Sequence, residues 1–318
     1  MSTTAAVSAP VSPYVQAGLW DAEPAAEPEP AERRPSLSPS RAADFMTCPL
    51  LFRFRTVDKL PEPPSHAASR GTLVHAVLER LFDLPAQQRT PERATALVGP
   101  EWARLVEAEP EVATLFPGPD DEALASWLAG AEELVTRYFD LEDPGHLEPA
   151  DRELYVETTL ESGLVLRGYV DRLDRAAGTG ELRVVDYKTG NAPPAGFEQR
   201  AMFQMRFYAL VLWRIFDQVP RLLQLVYLGS GEVLRYEPDE ADLRATERKV
   251  DALWRAIERA GATGDWRPSP GPMCGWCTHQ TLCPAFGGTP PTLPGTDVGP
   301  ETAATDEAPS PRTAPVDV

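Results

Sequence analysis

Apolar residues follow two rhythms along this chain, and the rhythm changes near residue 150. Before that point they recur every three or four positions. Serines in SLSPS suit a helix cap, and Ala42, Phe45 and Met46 follow at helical spacing until Pro49 ends the run. Val74, Val77, Leu78, Leu81 and Phe82 repeat as i, i+3, i+4, i+7 and i+8, which predicts a helix over roughly 71–82 with one buried stripe. Stretches 92–108 and 121–142 read as further helices. From about residue 152 the pattern shortens and alternates. ELYVETTL, LVLRGYVDRLD and ELRVVDYKT are rich in β-branched and aromatic residues and separated by Gly-containing turns, so they predict three strands joined as hairpins. A helix over about 198–216 carries Met202, Met205, Tyr208, Ala209 and Leu212 on one face. LLQLVYLG and EVLRYEP predict two more strands, and residues 240–260 a last helix. Helices before and after a run of strands imply one α/β domain, a central sheet flanked by helices.

The Pro-, Ala- and Glu-rich ends lack any such periodicity. Residues 1–35 and 287–318 are expected to be disordered tails around a folded part spanning 36–286. The N-terminus lacks the basic start of a secretory signal and no run of 18 apolar residues occurs, so a cytoplasmic protein without a membrane span is expected. Net charge is −18, with −3 in residues 1–35 and −4 in residues 284–318. That excludes a uniformly basic nucleic-acid binder but leaves room for a local basic groove, because phosphate binding depends on the local field. Arg53 and Arg55, alternating with aromatics in LFRFR, and Arg70 are candidate phosphate contacts; solvated surface arginines are an equal reading.

Four cysteines stand in the chain: Cys48 alone, and Cys274, Cys277 and Cys283 as C-x2-C-x5-C. In a reducing compartment such a set suits a four-thiolate metal centre. Spacing alone does not separate zinc from iron–sulfur. His279 falls between the last two cysteines, where it could replace one ligand, and reads rather as a surface loop residue. One ligand near residue 48 and three near 280 would close a loop of over 220 residues, like a clasp.

Of 30 basic residues only Lys59, Lys188 and Lys249 are lysines, so a lysine in this chain is unusual. In VVDYK, alternation puts Val184, Asp186 and Lys188 on one face, with Val185 and Tyr187 on the other. The preceding strand supplies Asp171 and Asp174, and a hairpin would bring Asp171 towards Asp186. Two carboxylates on adjacent strands make a hard-oxygen site for Mg²⁺ or Mn²⁺, and a neighbouring lysine can stabilise negative charge at a phosphate. Taken alone, Asp186 and Lys188 could equally be an exposed ion pair.

GYVDRLD and VVDYKTG resemble the D…(D/E)-x-K core of the PD-(D/E)XK nuclease superfamily. The DYKTG form, the upstream His75 in RGTLVHAVLE and the Q-x3-Y of Gln204 and Tyr208 are similar to the RecB-type exonuclease branch. The opening SPSRAADFMTCPLLFRF and the closing cysteines resemble its iron–sulfur members. The resemblance spans residues 36–286 and implies a restriction-endonuclease-like core: a mixed sheet with a helical N-terminal part and a Cys-rich C-terminal segment. It implies that His75, Asp171, Asp186 and the carbonyl of Tyr187 hold Mg²⁺ or Mn²⁺, and that Lys188 is the catalytic lysine. Gln204 and Tyr208 would lie beside the site. A further acid belongs on the strand before GYVD; Glu157 is the first choice, with Glu153 on the same face. Cys48, Cys274, Cys277 and Cys283 would ligate an iron–sulfur cluster of the [4Fe–4S] type. The implied activity is a metal-dependent deoxyribonuclease, an exonuclease acting on DNA ends or single strands in repair or recombination. The alternatives are a CRISPR-adaptation-type nuclease trimming spacer precursors and a non-catalytic iron–sulfur scaffold on DNA. No lysine follows a glycine, so a P-loop motor is absent and any helicase would be a separate partner.

Overall fold

A computed structural model describes residues 35–118, 121–194 and 198–293. The expected tails lie outside the described residues, apart from Pro35 and residues 287–293. Those last residues belong to the fold: Leu293 packs against the larger core and the Arg53 guanidinium donates to the Pro291 carbonyl.

The chain opens with a two-residue strand, β1 (Ser36–Leu37), and helix α1 (Pro39–Thr47). Ser38 caps that helix by accepting the Arg41 N–H at 3.3 Å, with Pro39 in the first turn. A short helix, α2 (Pro49–Phe52), runs into a π-helical turn, Arg53–Val57. The LFRFR segment is therefore helical. Its two arginines are engaged within the protein: Arg53 is buried beside Asp58 at 3.0 Å, and Arg55 reaches Asp44 at 2.6 Å and Glu62 at 2.9 Å. Arg70 stacks over the Trp127 ring.

Helix α3 (His66–Leu81) starts more than a turn earlier than the apolar stripe suggests, because Ser65 accepts the Ala68 N–H and sets the cap there. Helices α4 (Pro91–Thr95), α5 (Val98–Ala108) and α6 (Asp121–Leu141) follow. The strands then come as read: β2 (Pro149–Thr159), β3 (Val165–Arg175) and β4 (Leu182–Lys188). Gly163 (φ 84°) and Gly180 (φ 73°) adopt the left-handed turns that join them. Helix α7 (Glu198–Phe216) carries the chain across to β5 (Leu222–Tyr227), parallel to β4; β6 (Glu232–Tyr236) returns antiparallel. Helix α8 (Glu240–Thr263) closes the order, capped by Asp239 and ended by Gly264 at φ 69°.

The sheet runs β1-β3-β4-β5-β6, with β2 on the free side of β3. Helices α1, α2, α7 and α8 cover one face and α3 to α6 the other. Alternation along the central strands feeds both cores: Val184, Leu223 and Leu225 face the first, Val185, Tyr187 and Val226 the second. This is the α/β architecture that the pattern predicted, and its mixed sheet agrees with the restriction-endonuclease-like core that the resemblance implies. Among the described residues no helix is long and apolar enough to cross a membrane.

Candidate active site

Strands β3 and β4 pair only over Arg172–Arg175 and Leu182–Val185. Beyond that point they part, and the first residues of β3 pair with β1 instead. The parting leaves backbone groups of β4 without ladder partners, and side chains take them up. Asp171 Oδ2 accepts the Tyr187 N–H at 2.7 Å, and the Tyr187 carbonyl faces His75 Nε2 at 2.8 Å. His75 comes from α3 on one side of the sheet, and its Nδ1 lies 3.5 Å from Asp171 Oδ2.

The acids of the strands gather at the same gap. Continuing the β2–β3 register puts Glu153 opposite Asp171, and Glu153 sits at φ 44°, a left-handed conformation that costs a non-glycine residue strain. The ribbon changes facing there: Leu154 and Val156 pack on the first core, while Arg152 reaches α3 at the Glu79 carbonyl. One ligand atom each from His75, Glu153 and Asp171 fall within 4.8 Å of one another. Asp186 is 2% exposed. Its Oδ2 lies 3.0 Å from Lys188 Nζ, and its Oδ1 accepts from Gln204 Nε2 at 2.8 Å. Gln204 in turn accepts from Lys188 at 3.0 Å, which closes a ring of three side chains. Tyr208, one turn further along α7, is buried beside them, and its ring lies against Gly168 of GYVD, where a Cβ would meet Tyr208 Cε1 at 2.8 Å.

Electrostatics mark the gap as a place for a cation. Burial and the Asp171 charge push the Glu153 carboxyl up to about 7. Burial raises Asp186 to about 6; Lys188 opposes this and Asp171 reinforces it. Burial alone would lower His75, but the charges of Asp171, Asp186 and Glu153 raise it. Burial and the charges of Asp186 and Asp171 hold the Tyr208 hydroxyl well above the usual phenol range. Three carboxylates share one ammonium, so the group is short of positive charge. Carboxylate oxygens, a carbonyl and an imidazole are the donors a hard divalent ion takes.

The sequence model of the PD-(D/E)XK nuclease superfamily matches residues 36–284. The chain belongs to that superfamily. Nucleases of this superfamily use divalent metals, which agrees with the donor set described above. The gene 69 protein of Mycobacterium phage D29 is 26% identical over 271 residues, covering 79% of this chain and 97% of its own length. The gene 69 protein of Mycobacterium phage L5 is 25% identical over 294 residues, with the same coverage. A crystal structure of a protein from Eubacterium rectale, provisionally described as an exonuclease, superposes with a TM-score of 0.49 at 13% identity, over 77% of this chain and 87% of its own.

In this member of the superfamily the fold brings together His75, Asp171, Asp186, Tyr187, Lys188, Gln204 and Tyr208. Glu157 lies elsewhere: it is exposed, two strand pairs beyond Glu153, and accepts the Tyr155 hydroxyl. The acid at the gap on β2 is Glu153. Strand parity allowed both, but position along the strand decides, since four residues span about 13 Å.

Cys48, Cys274 and Cys277 come near one another from the two ends of the fold. Cys48 stands between α1 and α2, and its sulfur accepts the Ser269 N–H at 3.4 Å; Cys274 accepts the Gly271 N–H at 3.3 Å. Burial pushes the Cys277 thiol up, and neighbouring Cys48 and Cys274 reinforce this. All four are free thiols. His279 is not a surface loop residue: it is 4% exposed, packed on Phe54, with Nε2 2.8 Å from Glu62.

Proposed function

We propose that this chain is a Mg²⁺- or Mn²⁺-dependent deoxyribonuclease of the RecB type, an exonuclease acting on DNA ends or single strands in repair or recombination. The observation that carries the reading is the convergence of His75, Glu153, Asp171 and Asp186 with Lys188 where β3 and β4 part. His75, Glu153, Asp171, Asp186 and the Tyr187 carbonyl would hold the ion. Bound there, a divalent ion polarises the phosphodiester and lowers the pKa of a water. Lys188, held by Asp186 and Gln204, presents its ammonium to a phosphate oxygen or to the attacking water and offsets the charge that grows in the transition state. Gln204 fixes both partners, so it positions Lys188. Tyr208 walls the site on the α7 side.

We further read Cys48, Cys274, Cys277 and Cys283 as ligands of an iron–sulfur cluster that clasps the two ends of the fold. The N–H donors on two of the sulfurs suit thiolate ligands. A cluster there would hold α1 and α2 against the C-terminal segment.

Anaerobically purified protein is incubated with end-labelled single- and double-stranded DNA in Mg²⁺, Mn²⁺ or EDTA, beside Lys188→Ala. Cleavage that disappears in EDTA and in the variant supports the reading, and the product ladder gives polarity and exo or endo action. Metal-independent cleavage, or full activity in Lys188→Ala, overturns it. Iron content with a broad visible absorbance, lost in Cys277→Ser, supports the cluster; stoichiometric zinc replaces it with a structural zinc site.

A further inference from the structure

The ribbon of β2 and β3 carries three pairs of residues in succession, each with a different environment. Arg152 and Arg172 are registered partners at the end that α3 covers. Glu153 and Asp171 come next, at the metal-binding gap. Tyr155 and Tyr169 follow as registered partners, with ring centroids 5.3 Å apart. They point away from Leu154, Val156 and Val170, which fill the first core. Among the described residues no helix covers these rings: they are 46% and 47% exposed, although buried apolar residues flank them on the same strands. The Tyr155 hydroxyl donates to Glu157, and the Arg167 guanidinium reaches it as well; Glu157 and Arg167 are themselves opposite one another. One ring is thus held in place by two charged side chains while its face stays open to solvent.

We propose that Tyr155 and Tyr169 form a stacking platform for an unpaired nucleobase beside the phosphate to be cut. This rests on the nuclease reading and narrows its substrate to DNA that is single-stranded at the active site. Two residues along a strand span about 7 Å, so the platform stands roughly one nucleotide from the acids. An unpaired base, free of its own stack, can offer a face at that distance. Aromatic faces bind any base, which suits a nuclease that must advance through any sequence. Arg167 adds a positive charge where the backbone of that nucleotide would pass. A cross-strand aromatic pair also stabilises its ribbon. That role alone would be served as well by rings under a helix, and it does not depend on DNA.

The test pairs protein and substrate changes. Single-stranded oligonucleotides carry one abasic residue, stepped inward from the end. Binding is followed by anisotropy with Ca²⁺ in place of Mg²⁺, and cleavage with Mg²⁺. In wild type, one abasic position should weaken binding and raise KM about tenfold while kcat holds. In Tyr155→Leu/Tyr169→Leu, which keeps apolar bulk on the ribbon, intact DNA should bind about tenfold more weakly, and that abasic position should cost nothing further. Tyr155→Phe/Tyr169→Phe should restore most of the affinity. Equal losses on intact and abasic DNA, or no loss at all, overturn the platform. An inactive wild type would overturn the nuclease reading separately, and the anisotropy would still decide the platform. A variant that changes self-association instead of DNA binding would assign the rings to a second copy of the chain.

Discussion

Strands β3 and β4 hold two charged clusters one residue apart in register, and they behave oppositely. On the α3 side, Arg172 pairs with both oxygens of Glu142 at 2.8 and 3.0 Å and with Asp174 at 3.0 Å, and Arg183 adds a second contact to Asp174. The Tyr138 and Tyr187 hydroxyls and Gln224 complete the network. Two cations face two anions; burial alone would raise Glu142, but Arg172, Arg183 and Gln224 together hold it below its ordinary range. At the gap, three carboxylates face one lysine, and Glu153 and Asp186 are pushed up. Burial does not separate the clusters, since Arg172 is 1% and Asp186 2% exposed. The balance of charge does. The closed cluster is complete within the chain and ties β3 to α6; the open one keeps a surplus of negative charge that suits a cation.

Removing one partner from each cluster should therefore have different consequences. Arg172→Met leaves Glu142 buried without its counter-charge and should cost about 3–5 kcal/mol of stability by urea denaturation. Changing Glu142 to Met as well should recover most of that loss. If the single variant unfolds at the wild-type midpoint, the network contributes nothing. Asp186→Asn is expected to do the reverse. It relieves a surplus of negative charge, so the metal-free protein should melt at the same temperature or higher. Its Mg²⁺-dependent cleavage should fall about 10²–10³-fold, the loss typical of one group that stabilises developing charge. A variant both inactive and strongly destabilised would mean that Asp186 belongs to the scaffold.

Much of this comparison is legible in the sequence, for physical reasons. Period-two alternation in VVDYK places Asp186 and Lys188 together, and helical period places Gln204 beside Tyr208. What periodicity cannot convey is where two strands part. Glu153 and Glu157 share parity, and only the break in β3–β4 pairing, with the left-handed backbone at Glu153, selects between them. Arg53 and Arg55 of LFRFR look free to meet phosphate in the sequence, yet Asp58, Asp44 and Glu62 engage them, partners that the local pattern does not reveal. Arg172 passes for one more surface arginine until α6 is seen to bring Glu142 to it. Gly168 is the reverse case, a motif residue whose reason appears only in the packing. Gly168→Ala should drive the Tyr208 ring off β3, at a cost of about 1–3 kcal/mol and with a fall in kcat. Unchanged stability would show that the ring can move aside freely.

Acidity should distinguish the clusters with the smallest change to the molecule, because it alters charge without altering a residue. Glu153 and Asp186 have folded values of about 7 and about 6, above the ordinary 4.5 and 3.8. Between those limits the folded chain binds more protons than the unfolded chain, so the metal-free protein gains stability as pH falls from 8 through 6. Glu142 has the opposite sign. Its contribution is present above the ordinary 4.5 and is lost as pH drops below that value. Metal-free stability should thus peak in mild acid. Mg²⁺ should remove the upper slope, because an ion at the gap supplies the charge that protons otherwise provide, and binding it near pH 6.5 should release protons. Denaturation midpoints at pH 4, 5.5 and 7.5, with Mg²⁺ and with EDTA, measure both slopes. In Glu153→Gln the upper slope should shrink while the lower one persists. If metal-free stability instead rises steadily to pH 8, the carboxylates at the gap are not short of positive charge, and the contrast between the two clusters fails.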